Sequence, residues 1–304
     1  MKKKKAFTLL ELVLVIVIMG VMAVIGTDVI TNLYEGYMRS HSINRLETEV
    51  SNVLNQIVKR LQYRVKDSLI AAKPTGTYKA LDDPTLDSSY TILEWVGIDN
   101  DSFKGEYDTG KNLYIPGWSA LIDLNSSQTD KSQVKTPGSY LPIADKIIHS
   151  LSNGEVNLSG ASQTPALIFK GFDHVDKTQF GWDAAGDHNF TYNVKRNGND
   201  ILFFSDSSQA SAPKEIYERY AIAWSAYAIV PVSTGVNDMN LTLYYNFQPW
   251  EGETYQNGKS SVLAEHVSSF RFKQVGQTLR VKLCIHDNNL TGFDYAVCKE
   301  RAIY

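Results

Sequence analysis

The sequence predicts an α+β fold, with one long N-terminal helix laid on an antiparallel β-sheet and a large irregular insertion interrupting the strands. Three observations point there. An apolar stretch from Ala6 to Thr27 runs on into an amphipathic stripe with no proline before Pro74. The last third of the chain alternates apolar and polar residues with a period of two. Between these regions, short apolar runs are separated by Asp, Asn, Ser and Gly clusters.

The first element begins with Lys2, Lys3, Lys4 and Lys5, followed by Ala6-Phe7-Thr8-Leu9-Leu10-Glu11 and then an uncharged run from Leu12 to Gly26. At ~1.5 Å per residue, Ala6 to Thr27 is long enough to cross a hydrocarbon core of ~30 Å. The lysines are expected to hold the N-terminus in the cytoplasm, with the rest of the chain on the far side of the membrane. Glu11 is the anomaly. A carboxylate inside such a span costs ~2.5–3.5 kcal/mol or more unless it is partnered, so it marks a functional position. No Lys, Arg or His lies within one turn downstream of it, and its partner is expected to come from another subunit. A free α-amino group would serve, provided the chain is cut between Ala6 and Phe7.

Those residues carry a resemblance. Lys5-Ala6-Phe7-Thr8-Leu9-Leu10-Glu11-Leu12, with Gly20 in the following helix, resembles the N-terminal signature of type IV pilins and type II secretion pseudopilins. The resemblance covers about the first 26 residues. It implies a leader at residues 1–6, cleavage between Ala6 and Phe7, N-methylation of Phe7 and an assembly role for Glu11. The implied partners are prepilin peptidase, other pilins or pseudopilins, an inner-membrane assembly platform and membrane lipid. The family usually has Gly where this chain has Ala6, and major pilins often have proline where it has Asp28. A secretory signal cut near Val24-Ile25-Gly26 and a plain single-pass anchor are the alternatives. Both leave Glu11 unexplained.

The amphipathic part follows. Ile43, Leu46, Val50, Val53, Ile57, Leu61, Val65 and Leu69 recur at spacings of three and four, and Lys73-Pro74-Thr75-Gly76 reads as the stop. The expected organisation is therefore leader 1–6, membrane half of the helix 7–27, amphipathic half 28–73 and a β-rich globular domain 74–304. The stripe is expected to pack on the sheet, with a coiled-coil seam as the alternative.

Residues 75–199 read as an enlarged insertion, with candidate strands at Tyr90–Val96, Ser119–Leu124 and Ala166–Phe169. Further strands are expected at Ile201–Phe204, Tyr220–Val230 and Leu241–Phe247. The strongest hairpin signal joins Val267–Val275 to Thr278–Ile285 around Gly276-Gln277. The segment Val262–Leu283 resembles the C-terminal β-region of minor pseudopilins of the J type.

The chain has 304 residues, is 43% hydrophobic and carries a formal net charge of −3. There is no basic field of the kind nucleic-acid binding relies on. Its two cysteines, Cys284 and Cys298, are expected to pair in an oxidising compartment, and Cys-x-x-Cys redox chemistry is absent. Phosphate-loop, Gly-x-Ser-x-Gly and His-Glu-x-x-His motifs are also absent, and no enzyme is expected. Asp173, His174, Asp176, Asp183, Asp187 and His188 could bind a divalent ion, and some pseudopilins carry structural calcium. Clustered with Gly171, Gly181 and Gly186, they read more simply as turn residues. Asp99-Asn100-Asp101 with Gly105-Glu106 only faintly matches a calcium loop. No metal or other cofactor is therefore assigned. Trp118, Trp182 and Trp250 are expected in the core rather than on a binding surface.

Overall fold

In the computed structural model, residues 8–160, 163–172, 174–182, 188–205, 212–287 and 295–304 are described. Helix α1 (Leu9–Gln62) is continuous over 54 residues. It is capped by Thr8, whose side chain accepts from the Glu11 N–H while the Glu11 carboxylate accepts from Thr8. Lys59 and Arg60 lie in its last turn, favourably placed at the negative end of the helix dipole.

Helix α1 buries Ser42, Leu46, Val50, Val53, Leu54, Ile57 and Leu61. Within the helix that is the expected stripe with Leu54 and Ser42 added and Ile43 only half-buried, and it packs on a sheet, not on another helix. The helix ends at Gln62, eleven residues before the expected stop at Lys73, so Val65 and Leu69 lie beyond it. Tertiary hydrogen bonds account for the early end. The Val65 N–H donates to the Val96 carbonyl and the Ile98 N–H to the Tyr63 carbonyl. A strand thus claims the backbone that a further turn would need.

The sheet elements are β1 (Ile70–Ala72), β2 (Tyr78–Ala80), β3 (Ile92–Gly97), β11 (Ser225–Gly235), β12 (Asp238–Phe247), β13 (Lys259–Val275), β14 (Thr278–His286) and β15 (Ala296–Ile303). They form an antiparallel eight-stranded sheet in the order β15-β14-β13-β12-β11-β3-β1-β2. The β13–β14 hairpin turns at Gly276-Gln277, as the sequence predicts, with Val275 opposite Thr278 and Gly276 at φ +60°. Cys284 and Cys298 face each other across β14 and β15 and are disulfide-bonded.

The inserted body comprises α2 (Asn100–Lys104), β4 (Glu106–Asp108), β5 (Leu113–Ile115), β6 (Gln133–Lys135), α3 (Leu141–Leu151), β7 (Ala166–Lys170), β8 (Tyr192–Asn197), β9 (Ile201–Phe204) and β10 (Arg219–Ala223). Five of its strands form a second sheet, β10-β7-β8-β9-β6. Its boundaries differ from the expected 75–199. Gly97 and Ser225 are partners in the β3–β11 ladder, so the insertion is residues 98–224, grafted between adjacent strands whose ends already meet. Gly97 is needed there, because a Cβ on it would lie 2.4 Å from the Tyr227 ring.

Two strand expectations are corrected. Tyr220–Val230 is not one strand. It splits at Trp224, with β10 in the insertion sheet and β11 in the main sheet, and the Trp224 carbonyl accepts from the Gln248 side chain at 2.8 Å. Ser119–Leu124 forms only an isolated bridge between Leu121 and Arg219, because Ala120 adopts φ +60° and breaks the extended run. Helix α3, which the sequence reading did not anticipate, has Pro142 in its first turn and buries Leu141, Ala144 and Ile148.

The layers follow from side-chain alternation. Leu93, Trp95, Ile229 and Leu243 meet α1 on one face of the main sheet. Ile92, Val96, Ala226, Ala228 and Val230 meet Ala166, Ile168 and Ala223 of the insertion on the other. The insertion has its own core around Trp118, Leu141, Ile148, Leu167 and Tyr220.

Candidate functional site: the free half of the long helix

From Leu9 to Tyr37 every large apolar side chain of α1 is at least 43% exposed, and the least exposed of them is Val15. This half of the helix has no partner among the described residues. Leu9 to Thr27 rises roughly 28 Å, the thickness of a hydrocarbon core. Two of its hydroxyls are satisfied locally. Thr27 donates its hydroxyl to the Ala23 carbonyl at 2.8 Å, and Thr31 donates to the Thr27 carbonyl at 2.9 Å. Such back-bonding leaves no hydroxyl unsatisfied toward lipid.

Glu11 is exposed at the start of this segment. Its Oε2 accepts from the Thr8 N–H at 3.0 Å and from the Thr8 hydroxyl at 3.0 Å, while its own N–H donates to Thr8 Oγ1 at 3.4 Å. This is a capping box, encoded by Thr8-Leu9-Leu10-Glu11, and it gives Glu11 a partner inside the chain. The signal for it in the sequence is Thr8 three residues before Glu11, not a nearby cation. The box occupies Oε2 with two neutral donors, the Thr8 N–H and hydroxyl. Ala6 and Phe7 lie outside the described residues.

The other candidate residues fall elsewhere. Asp99 caps α2, accepting from the Ser102 N–H at 3.1 Å. Its burial pushes the carboxyl up to about 6. Asp176 turns the chain by accepting from the Thr178 N–H at 3.0 Å, and His188 Nδ1 lies 3.2 Å from the Thr191 carbonyl. His174 is exposed. Asp173, Asp183 and Asp187 lie outside the described residues. Trp118, Trp182 and Trp250 are buried, as expected, and the indole N–H of Trp118 donates to the Asp99 carbonyl while that of Trp250 donates to the Thr164 carbonyl.

The chain matches the family model of the prokaryotic N-terminal methylation motif over residues 1–27. No curated protein and no solved structure matches it significantly. The motif belongs to structural subunits rather than enzymes. It coincides with the apolar half of α1, which is the one helix among the described residues long and apolar enough to cross a membrane. A prepilin-type methylation motif thus opens a long helix that continues onto an antiparallel sheet, and both features are consistent with type IV pilins and pseudopilins.

Proposed function

We propose that the protein is a minor pilin or pseudopilin that assembles into, or primes, a type II secretion pseudopilus or a type IV pilus-like filament. Prepilin peptidase cuts between Ala6 and Phe7 and N-methylates Phe7. Methylation keeps the new terminus positively charged. The precursor spans the inner membrane once, with its N-terminus cytoplasmic and its folded domain periplasmic. An assembly platform then moves it from lipid into a bundle of like helices.

The observation that carries this reading is the unpartnered apolar half of α1, joined without a break to a half that is fully engaged by the sheet. Glu11 fits the same scheme. Its Oε1 has no hydrogen bond among the described residues and can receive the methylated amine of a neighbouring subunit. A register that misses this pairing leaves both charges buried without a partner, which is costly in an apolar bundle. The size of the insertion, residues 98–224, favours a minor subunit over one repeated along a whole filament.

A competence pseudopilin is a variant of the same reading. A membrane-anchored periplasmic binding module or adhesin that never polymerises is the reading from another class. Glu11→Val separates the classes, since the anchor remains and filament assembly or secretion falls at least tenfold if Glu11 sets the register. Full activity with valine favours the anchored module. Mass spectrometry of the mature N-terminus tests processing directly, and a retained hexapeptide in cells holding the peptidase refutes it.

A further inference from the structure

Three residues from three consecutive strands converge at the end of the main sheet. Asp238 opens β12, His266 lies within β13 and His286 ends β14. One ligand atom from each lies within 4.8 Å of the other two. His266 Nδ1 is 3.3 Å from Asp238 Oδ2, and His286 Nε2 is 3.3 Å from Asp238 Oδ1. The imidazole rings are 5.9 Å apart, centre to centre.

We propose that Asp238, His266 and His286 bind a divalent transition-metal ion of the zinc class. Donors at ~2.0–2.1 Å from a tetrahedral ion stand about 3.3 Å apart, the length of each Asp–His separation, and because the two run to different carboxylate oxygens a small turn of Asp238 brings one oxygen to both. The imidazole–imidazole edge closes with a small rotation of either ring. Two imidazoles and one carboxylate suit zinc and its neighbours, whereas calcium takes an all-oxygen shell.

Two further features point the same way. Asp238 Oδ1 and His286 Nε2 are buried and face each other at 3.3 Å without a well-formed hydrogen bond, with the Thr234 side chain as a further donor beside this carboxylate. Buried polar atoms are nearly always paired, and a shared cation would pair both. His266 adopts φ +53°, a left-handed conformation rare for a residue with a Cβ. It sits where the β12–β13 ladder slips register between Met239 and Leu241. Backbone strain of this kind commonly accompanies a functional constraint.

The neighbourhood ties the site to the helix. Adjacent Asp287 accepts from Ser42 and, at 3.0 Å, from Arg45, both on α1. A cavity of about 450 Å³ beside it is lined by Arg45, Glu49, His266 and His286. An ion here would join β12, β13 and β14 next to the point where α1 first meets the sheet. The site does not depend on filament assembly.

The test uses the full chain in detergent, washed with chelator and titrated with zinc chloride. One ion per chain is expected, and at a hundredfold excess over Kd the unfolding equilibrium falls about a hundredfold, raising Tm by about 5–10 °C. Calcium chloride produces no such shift through this site. Asp238→Asn and His286→Gln abolish binding, while His149→Gln, on the distant helix α3, retains it. Absence of stoichiometric zinc, or an undiminished shift in both site variants, overturns the proposal. Should the variants fail to fold, X-ray absorption of the zinc-loaded wild type decides, because a shell lacking two imidazole nitrogens also overturns it.

Discussion

Replacing Glu94 by glutamine is expected to stabilise the fold at neutral pH and to remove part of its pH dependence. Glu94 lies in β3 on the face that meets the insertion, in register with Ile70 on one side and Ala228 on the other. It is only 6% exposed. Burial pushes its carboxyl from 4.5 to about 8. The folded state therefore holds this proton between those values while the unfolded chain releases it. The contribution is complete below about 4.5, is lost as pH rises through about 8, and is flat above that. Each pKa unit corresponds to about 1.4 kcal/mol, so the loss at pH 7 is about 3 kcal/mol. Glutamine keeps the shape and cannot ionise. Urea unfolding of the full chain in detergent, at pH 5 and at pH 8, gives the assay. Wild type should lose about 3 kcal/mol more than Glu94→Gln between the two. Asp99 is raised as well, but it is common to both proteins and cancels in the difference. Parallel pH dependences for the two would refute the assignment of a neutral buried acid.

Other perturbations probe the remaining joints. Leu54 is fully buried between α1 and the sheet, and Leu54→Ala should cost about 2–5 kcal/mol in urea unfolding while leaving membrane insertion intact. Changing both Cys284 and Cys298 to serine opens a loop of about 15 residues and should cost about 3 kcal/mol, seen as a lower Tm that reducing agent no longer alters. An unchanged Tm in the double variant would show that the β14–β15 ladder holds that edge without the bond.

What the sequence made legible is what one short stretch determines by itself. Lysines abutting an apolar run, a carboxylate inside that run, and a period-two pattern around Gly276-Gln277 each carry their own physical cost or preference. The end of α1 was hidden because it depends on Val65 and Ile98 bonding across to the helix–strand junction, contacts made by residues about thirty positions apart. The split at Trp224 was hidden for a related reason. Tyr220 to Ala223 and Ser225 to Ala228 are nearly all buried on both faces, so apolarity carries no period to mark where one sheet gives way to the other. Thr8-Leu9-Leu10-Glu11 is legible as a capping box from its spacing, a signal that charge alone does not carry. The Asp238, His266 and His286 group has no local spacing at all, since a sheet brings together residues 20 and more positions apart.

The layering also bears on how the proposed subunit would meet its neighbours. Helix α1 covers one face of the main sheet and the insertion covers the other. A bundle built through the free apolar half of α1 therefore gathers the helices toward a common axis and leaves each insertion on the side of its sheet away from its own helix. The insertion can then vary without disturbing the bundle, because its ends enter and leave through neighbouring residues of β3 and β11. A loop closed at adjacent strands adds little to the entropy cost of folding the sheet, since that cost grows only slowly with loop length. Its own buried core, centred on Trp118 and Tyr220, means that it contributes a folded surface rather than a flexible tail. In a filament subunit that surface is the part of the chain free to determine what the filament contacts.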